Sequence, residues 1–207
     1  MIPFSLPVSE LKHLTNIVKH LSKDKASDCR DIYILHQNNH YYVVACNGHC
    51  AGLYLHPGEW GGKKIVWRVK LEDALNLISI KAKVPSIMVT PDEERGAKLE
   101  YLGFSCTAEV EENFYLRKPV DAMLTLARRG KLIPSKAMHC VGAGQFAHIF
   151  PSKDTFCVIL QEAGKPEGMQ FCTCPGWPNF LAVLMPMKCE REEIGMAIKR
   201  SRAFFAD

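Results

Sequence analysis

The chain has 207 residues, of which 47% are hydrophobic and 23% are charged, and its formal net charge is +4 at pH 7. These values are typical of a globular protein with one large or two modest domains, and the mild positive charge permits a nucleic-acid partner without requiring one. No apolar run is as long as a membrane span of about 18 residues, the N-terminus lacks an export signal, and the nine cysteines are scattered. We therefore expect a cytoplasmic protein with reduced thiols.

The N-terminal part of the chain predicts a strand, a helix and three further strands. Residues 2–6 form the first strand, and residues 8–23 form the helix, because their apolar side chains recur at steps of three and four. These apolar positions are Val8, Leu11, Leu14, Ile17, Val18 and Leu21. The opposite, polar face holds Lys12, His13, Asn16, Lys19, His20 and Lys23. Apolar runs at 31–36, 41–46 and 51–56 predict the three strands.

The same order of elements then begins again. Residues 65–69 predict a strand, and residues 71–82 predict an amphipathic helix. Three strand-like runs follow at 85–90, 97–102 and 104–110, the last two separated only by Gly103.

These two segments predict an internal duplication of a strand–helix–three-strand unit. At an offset of 63 residues the apolar positions of the two helices coincide, in the pairs Leu11 with Ala74, Leu14 with Leu77 and Ile17 with Ile80. Self-similarity at a fixed offset indicates architecture more directly than any single propensity. The alternative is a chance alternation of helices and strands in an α+β protein.

The C-terminal part resembles a third, less regular copy. It begins with a strand at 113–116 and a helix at 120–131, whose basic end suits the negative pole of a helix. Strand-like runs follow at 138–144, 146–151, 155–161, 168–174 and 179–187. The last segment, 190–205, predicts an amphipathic helix with acidic residues first and basic residues last.

The stretch VVACNGHCAGLYL (43–55) admits two interpretations, a metal or thiol site and a hairpin. Cys46, His49 and Cys50 are crowded together, but no second ligand pair stands at a spacing typical of zinc sites. Asn47-Gly48 between two apolar runs is a strong hairpin signal, because both residues tolerate positive φ. We therefore predict a structural hairpin at Asn47, Gly48 and His49, after which Ala51 and Gly52 allow close packing.

No catalytic motif is recognisable, and we expect neither an enzyme nor a cofactor. The chain contains no nucleophile elbow, phosphate-binding glycine loop or paired-histidine helix. A zinc or thiol enzyme stays open only if four distant residues meet in space, namely His139, Cys140, Cys172 and Cys174. Alternation along a strand already places the last two on one face without a metal.

Cations on the helix faces opposite the apolar stripes are the candidate DNA-binding residues. They are Lys12, Lys19 and Lys23 on the first helix and Arg128, Arg129 and Lys131 at the end of the third. If a sheet packs beneath these helices, the cations lie on one side of the molecule, where they could contact phosphates without reading bases. The alternative is that these side chains are simply solvated.

Four segments resemble the bacterial DNA polymerase III beta subunit, the DNA sliding clamp. FSLPVSELKHLTNIVKHLS (4–22) is similar to the start of that family's middle domain, and VKLEDALNLI (69–78) to its second helix. VVACNGHCAGLYL resembles the family hairpin Ala-Thr-Asp-Gly-His-Arg-Leu-Ala, which Ala45, Gly48 and His49 match; Asn47 replaces the acidic residue and Cys50 the arginine. FLAVLMPMK (180–188) is similar to the clamp C-terminus, although this chain continues past Met187.

The resemblance implies a DNA-clamp fold of class α+β, with duplicated units whose helices lie on one face of antiparallel sheets. Residues 1–118 would form one complete clamp-like domain, and residues 119–207 a shortened second domain with an extra C-terminal helix. The resemblance also implies a non-enzymatic scaffold, of a phage, a mobile element or a diverged accessory copy, that contacts duplex DNA. Its partner peptides would bind a groove that includes Met185, Pro186 and Met187, unless the final helix occupies it.

Family rings contain six domains, so a two-domain chain would have to form a homotrimer to close one. The alternative function is a clamp-fold interaction module that never encircles DNA and binds one protein partner or itself. Oligomeric state separates the two hypotheses.

Overall fold

The structure of the protein is a computed structural model. The structure describes residues 1–19, 30–37, 39–46, 50–59, 64–80, 84–112, 125, 132–134, 149–150, 158–162 and 170–184. Within these residues, no helix combines the length and the apolar character needed to cross a membrane.

The two predicted repeats are present, each with one helix and four strands. The first consists of β1 (Phe4–Pro7), α1 (Val8–Lys19), β2 (Ile32–Gln37), β3 (His40–Cys46) and β4 (Cys50–Pro57). The second consists of β5 (Ile65–Val69), α2 (Leu71–Ser79), β6 (Ser86–Asp92), β7 (Gly96–Tyr101) and β8 (Phe104–Val110). All ten elements overlap the segments that the sequence predicts, and the offset of 63 residues holds for the starts of both helices. The predicted end of the second helix was wrong: α2 stops at Ser79, and Ile80, predicted to match Ile17 within the helix, lies just past it with an extended backbone.

The C-terminal part contributes four more strands. They are β9 (Leu132–Pro134), β10 (Val158–Glu162), β11 (Gln170–Cys174) and β12 (Trp177–Leu184). Strand β11 falls within a predicted run and β10 and β12 overlap predicted runs, whereas no prediction covers β9. The predicted strand at 113–116, the helix at 120–131 and the final helix at 190–205 lie outside the described residues, apart from the single position 125.

The twelve strands form one antiparallel sheet in which the repeats exchange their first strands. The order is β1-β6-β7-β8-β5-β2-β3-β4-β12-β11-β10-β9. Strand β1 therefore pairs with the second repeat through β6, and β5 pairs with the first repeat through β2. Each repeat's other three strands thus pair with the first strand of the other repeat, so neither repeat forms its four-stranded part of the sheet alone. A short β5–β8 pairing joins these two four-stranded parts, and the β4–β12 ladder adds the C-terminal strands.

The exchange also caps both helices across the repeats. The first amide of α1, at Val8, donates to the carbonyl oxygen of Pro85 at 2.8 Å. The first amide of α2, at Leu71, donates to Asp31 Oδ1 at 2.9 Å. The first amides of a helix have no partner within the helix, so each repeat satisfies a donor that the other leaves open.

The two helices pack against each other on one side of the sheet. Leu11, Leu14 and Ile17 of α1 and Ala74 of α2 are fully buried in a core that also contains inward side chains of the strands. The prediction of helices on one face of antiparallel sheets is thereby confirmed. A smaller apolar cluster lies on the opposite face of the sheet and includes Tyr33, Leu35, Tyr42, Val44, Leu53, Phe171 and Val183.

Candidate nucleic-acid interface

The outward face of α1 carries the two predicted cations that the structure describes. Lys12 and Lys19 are both exposed, with exposed Asn16 between them. Seven residues correspond to about two helical turns, so the two side chains leave one face of the helix at points about 10 Å apart along its axis. They lie on the face opposite the buried leucines, as the apolar period predicts.

The neighbouring helix α2 does not extend this positive surface. Its outward positions include exposed Glu72, Asn76 and Ser79, and Asp73 is half-buried. The helix contains no lysine or arginine. The two cations of α1 are therefore matched in number by the two carboxylates of α2, so the exposed and half-buried charges of the two described helices balance; the third carboxylate, Glu10 of α1, is buried.

The basic residues near the start of α2 are already paired with carboxylates. Lys70 Nζ lies 2.7 Å from Glu109 Oε1, and Arg68 Nη2 lies 2.8 Å from Glu109 Oε2. The hydrogen bond to Glu109 is the main reason that the pKa of Lys70 is raised, and Lys70 and Arg68 together lower the pKa of Glu109. An open groove of about 470 Å³ at this point is lined by Arg30, Asp31, Lys70, Leu71, Glu72, Leu75 and Asn76. Because the lining carries both positive and negative side chains, it favours ion pairs within the protein over the binding of a phosphate group.

The other predicted site residues all lie outside the described residues. They are Lys23, Arg128, Arg129 and Lys131 of the DNA-binding set, Met185, Pro186 and Met187 of the peptide groove, and Asn47, Gly48 and His49 of the hairpin. The strands that flank the hairpin are described: β3 and β4 are antiparallel neighbours, and Cys46 pairs with Ala51. Cys50, the first residue of β4, is buried.

The cysteines of β11 pack as apolar residues. Cys172 and Cys174 are both buried in the core on the helix side, so strand alternation places them on one face as predicted. No group of three histidine, cysteine or carboxylate residues within the described ranges could hold a metal ion. His139 and Cys140 lie outside those ranges, so their predicted convergence with the two cysteines is not described.

A buried polar cluster was missed by the sequence reasoning. Glu10 of α1 is only 4% exposed. Its Oε2 lies 2.8 Å from Nε2 of buried His56 on β4, and its Oε1 accepts a hydrogen bond from Asn179 Nδ2 of β12 at 2.7 Å. His13, which the sequence placed on the polar face of the helix, is only 5% exposed, with Nδ1 2.8 Å from the hydroxyl of Tyr54. Burial, reinforced by the nearby Glu10 carboxylate, raises the pKa of Tyr54, so its hydroxyl stays protonated.

The prediction for His13 was wrong because the apolar stripe of α1 is wider than the leucines alone suggest. Glu10, His13, Leu14 and Ile17 follow steps of three, one and three, which is also the spacing of a single helix face. His56 similarly continues the alternation of inward Cys50, Gly52 and Tyr54 along β4. The helical spacing of Glu10 and His13 and the strand alternation that includes His56 are therefore the features of the sequence from which the buried cluster could have been predicted.

Similarity to solved structures decides the fold. The model aligns with the DNA polymerase III subunit beta of Borrelia burgdorferi over 92% of this chain and 65% of that chain, with a TM-score of 0.60 and 10% sequence identity. This chain has the DNA sliding-clamp fold. A clamp subunit of Thermotoga maritima aligns over 92% of this chain and 66% of that one, with a TM-score of 0.54 and 13% identity.

A third sliding clamp is the Helicobacter pylori beta clamp bound to a DNA ligase peptide, with a TM-score of 0.53 and 10% identity over 93% of this chain and 69% of that one. The chain thus spans about two thirds of the length of the sliding clamps it resembles. Neither a protein-family model nor a curated protein sequence matches it. At these sequence identities the similarity establishes the fold alone. What the protein binds has to be argued from the residues of this chain.

Proposed function

We propose that this protein is a non-enzymatic, sliding-clamp-like scaffold that contacts the backbone of duplex DNA through the outward face of α1. The observation that carries the proposal is the exposure of Lys12 and Lys19 on one helix face of a clamp fold. Lysines on a regular helix can neutralise phosphates without distinguishing bases. Lys23, Arg128, Arg129 and Lys131 would extend the same surface.

The test is the salt dependence of binding to a duplex of arbitrary sequence, measured by fluorescence anisotropy. Each lysine–phosphate contact contributes about 0.9 to the slope of log K against log salt concentration, so the double variant Lys12→Gln/Lys19→Gln should lower the slope by about 2. Lys98→Gln is the matched control, because exposed Lys98 lies between buried Ala97 and Leu99 and therefore points away from the helices. Equal slopes for all three proteins would contradict DNA contact along α1.

The peptide groove is the second part of the proposal. The Helicobacter pylori clamp was solved with a DNA ligase peptide, and Met185, Pro186 and Met187 follow directly after β12. Methionine side chains suit a groove that repacks around several peptides. Titration calorimetry with such a ligase peptide should detect binding that Met187→Lys abolishes; unchanged binding in the variant would place the peptide elsewhere.

The second candidate is a clamp-fold interaction module that does not encircle DNA. The balanced charge of α1 and α2 favours it, because a helix layer that surrounds DNA needs a positive lining. Light scattering over a range of protein concentrations separates the two. A homotrimer of the 23.3 kDa chain would support a six-domain ring, whereas a concentration-independent monomer would exclude one.

A further inference from the structure

The face of the sheet that points away from α1 and α2 is buried along a band of apolar side chains. These side chains form the smaller apolar cluster, and none of them is more than 9% exposed. We call them the outer band. In the order of the strands from β5 to β11, the outer band consists of Val66, Leu35, Tyr33, Tyr42, Val44, Leu53, Ala51, Val183 and Phe171.

The outer band runs obliquely across six strands. Cross-strand pairing arranges its residues in three rows that shift stepwise along the strands. The first row is Val66, Leu35 and Tyr42, the second is Tyr33, Val44 and Leu53, and the third is Ala51, Val183 and Phe171. Six neighbouring strands span about 24 Å, and successive rows lie about 7 Å apart. The band is therefore a long diagonal strip, which is the area that a helix of about 10 Å diameter covers.

Side chains on the same face but beside the strip are exposed. Leu55 of β4 and Val158 of β10 are 36% and 39% exposed, although strand alternation points both of them to the side of the outer band. On the second repeat, Met88 and Lys98 also point away from the helices and are exposed. Burial thus follows the strip rather than the whole face, so a narrow element lies on the strip.

The element that covers the outer band belongs to this chain. A single copy of the chain buries these side chains. The described members of the cluster all belong to strands, whose side chains stand roughly perpendicular to the sheet and cannot cover their own tips. Both described helices pack on the other face. Rings such as those of Tyr33 and Tyr42 are enclosed when a second layer lies on the sheet, and that layer comes from outside the described ranges.

The C-terminal segment 190–205 fits the strip in length, pattern and starting point. As a helix, its 16 residues would extend about 24 Å. The chain leaves the sheet at Leu184 of β12, directly after Val183 of the third row, so the segment begins near one end of the strip. Apolar side chains recur at helical steps on one face of the segment, at Ile194, Ala197, Ile198 and Phe205.

The predicted helix at 120–131 is the alternative cover, and the repeat directs it to the other face. In the sequence it follows a strand-like run, as α1 follows β1 and α2 follows β5. Because α1 and α2 both pack on the helix side of the sheet, we expect the corresponding helix of a third copy on that side. The segment 190–205 is the predicted helix that has no counterpart in the duplicated unit.

We propose that residues 190–205 form a helix that lies along the outer band and covers it. The apolar face of this helix replaces water over the nine side chains of the band, and its charged side chains remain in solvent. Without this cover the band would be a contiguous apolar surface of the kind that leads proteins to associate. The inference depends neither on DNA binding nor on peptide binding.

Photocrosslinking in the full-length chain tests the contact. With p-benzoylphenylalanine in place of Tyr42, we expect a crosslink within one chain to the tryptic peptides 192–199 or 203–207, identified by mass spectrometry. The same result is expected with the probe in place of Tyr33. The matched control carries the probe in place of exposed Met88 and should not reach these peptides. If the two tyrosine positions crosslink only to another segment or to a second copy, or do not crosslink at all, the proposal is wrong.

Two substitutions by aspartate test whether the apolar face of the segment makes the contact. Ile198→Asp places a charge on that face, so it should abolish the crosslink from position 42 and allow the outer band to bind the apolar dye ANS. Met196→Asp introduces the same side chain about 160° away around the helix, and should leave the crosslink and the dye binding as in wild type. Equal crosslink yields in the two variants would refute a contact through this face. If Ile198→Asp does not fold, the crosslinks of the otherwise unchanged chain still decide.

Discussion

Gly52 of β4 lies against side chains of both α1 and β12, and its replacement by alanine tests the packing at this point. A Cβ on Gly52 would lie 2.6 Å from Cδ1 of Ile17 and 3.3 Å from Cε2 of Phe180. Ile17 is fully buried and Phe180 is 3% exposed, so neither side chain can move freely into solvent. Overpacking of a closed core costs about 1–3 kcal/mol, and we expect Gly52→Ala to lower the free energy of unfolding by that amount.

A double-mutant cycle assigns this cost to one contact. Ile17→Val removes Cδ1 and should cost about 0.5–1.5 kcal/mol by itself. In the Ile17→Val background the added methyl group finds space, so Gly52→Ala should cost at least about 1 kcal/mol less than in wild type. Urea unfolding followed by far-UV circular dichroism measures all four free energies, provided that the m-values agree.

Gly103→Ala provides the control for backbone effects. Gly103 has a φ of +86° but no atom within 4 Å of an added Cβ, so its substitution strains the turn without overpacking the core. Its cost should be the same in both backgrounds. If Gly52→Ala also costs the same with and without Cδ1 of Ile17, the contact that we infer does not determine the packing around Gly52.

The pKa shifts of Cys106 and Glu109 lead to two further predictions. Burial raises the pKa of Cys106 to about 11, so only about one thiol in a thousand is ionised at pH 8. Iodoacetamide should therefore label Cys106 much more slowly in the folded protein than in urea, which mass spectrometry of the peptide that contains Cys106 would measure. Equal labelling rates would contradict the burial of this thiol. The pKa of Glu109 is lowered by Lys70 and Arg68, so the pairing stabilises the folded state above the unfolded glutamate pKa of about 4.3 and is lost as the pH falls through the lower folded value. Glu109→Gln should therefore flatten the pH dependence of the urea unfolding midpoint between pH 5 and pH 3, and the effect should be small because the ion pairs are exposed. An unchanged dependence of the midpoint on pH would refute the pairing.

Local periodicity made much of the fold predictable from the sequence. Strand β5 matches its predicted bounds of 65–69 residue for residue, and the offset of 63 residues predicts the duplication without any knowledge of strand pairing. Apolar steps of three and four define one face of a helix, and alternation defines one face of a strand, so these signals lie within short windows. The exposure of Lys12 and Lys19 followed from the same rule.

The sequence by itself determined which segments are helices and strands, that they occur twice, and which clamp family they resemble. Only the tertiary structure decided that the repeats exchange β1 and β5, that α2 offsets the charge of α1, and that Glu10 and His13 are enclosed. Tyr54 is 41 residues from His13, and Asn179 is 169 residues from Glu10. Whether a polar side chain on the margin of an apolar stripe meets water or a partner depends on strands that distant parts of the chain bring together, and no local pattern contains that information.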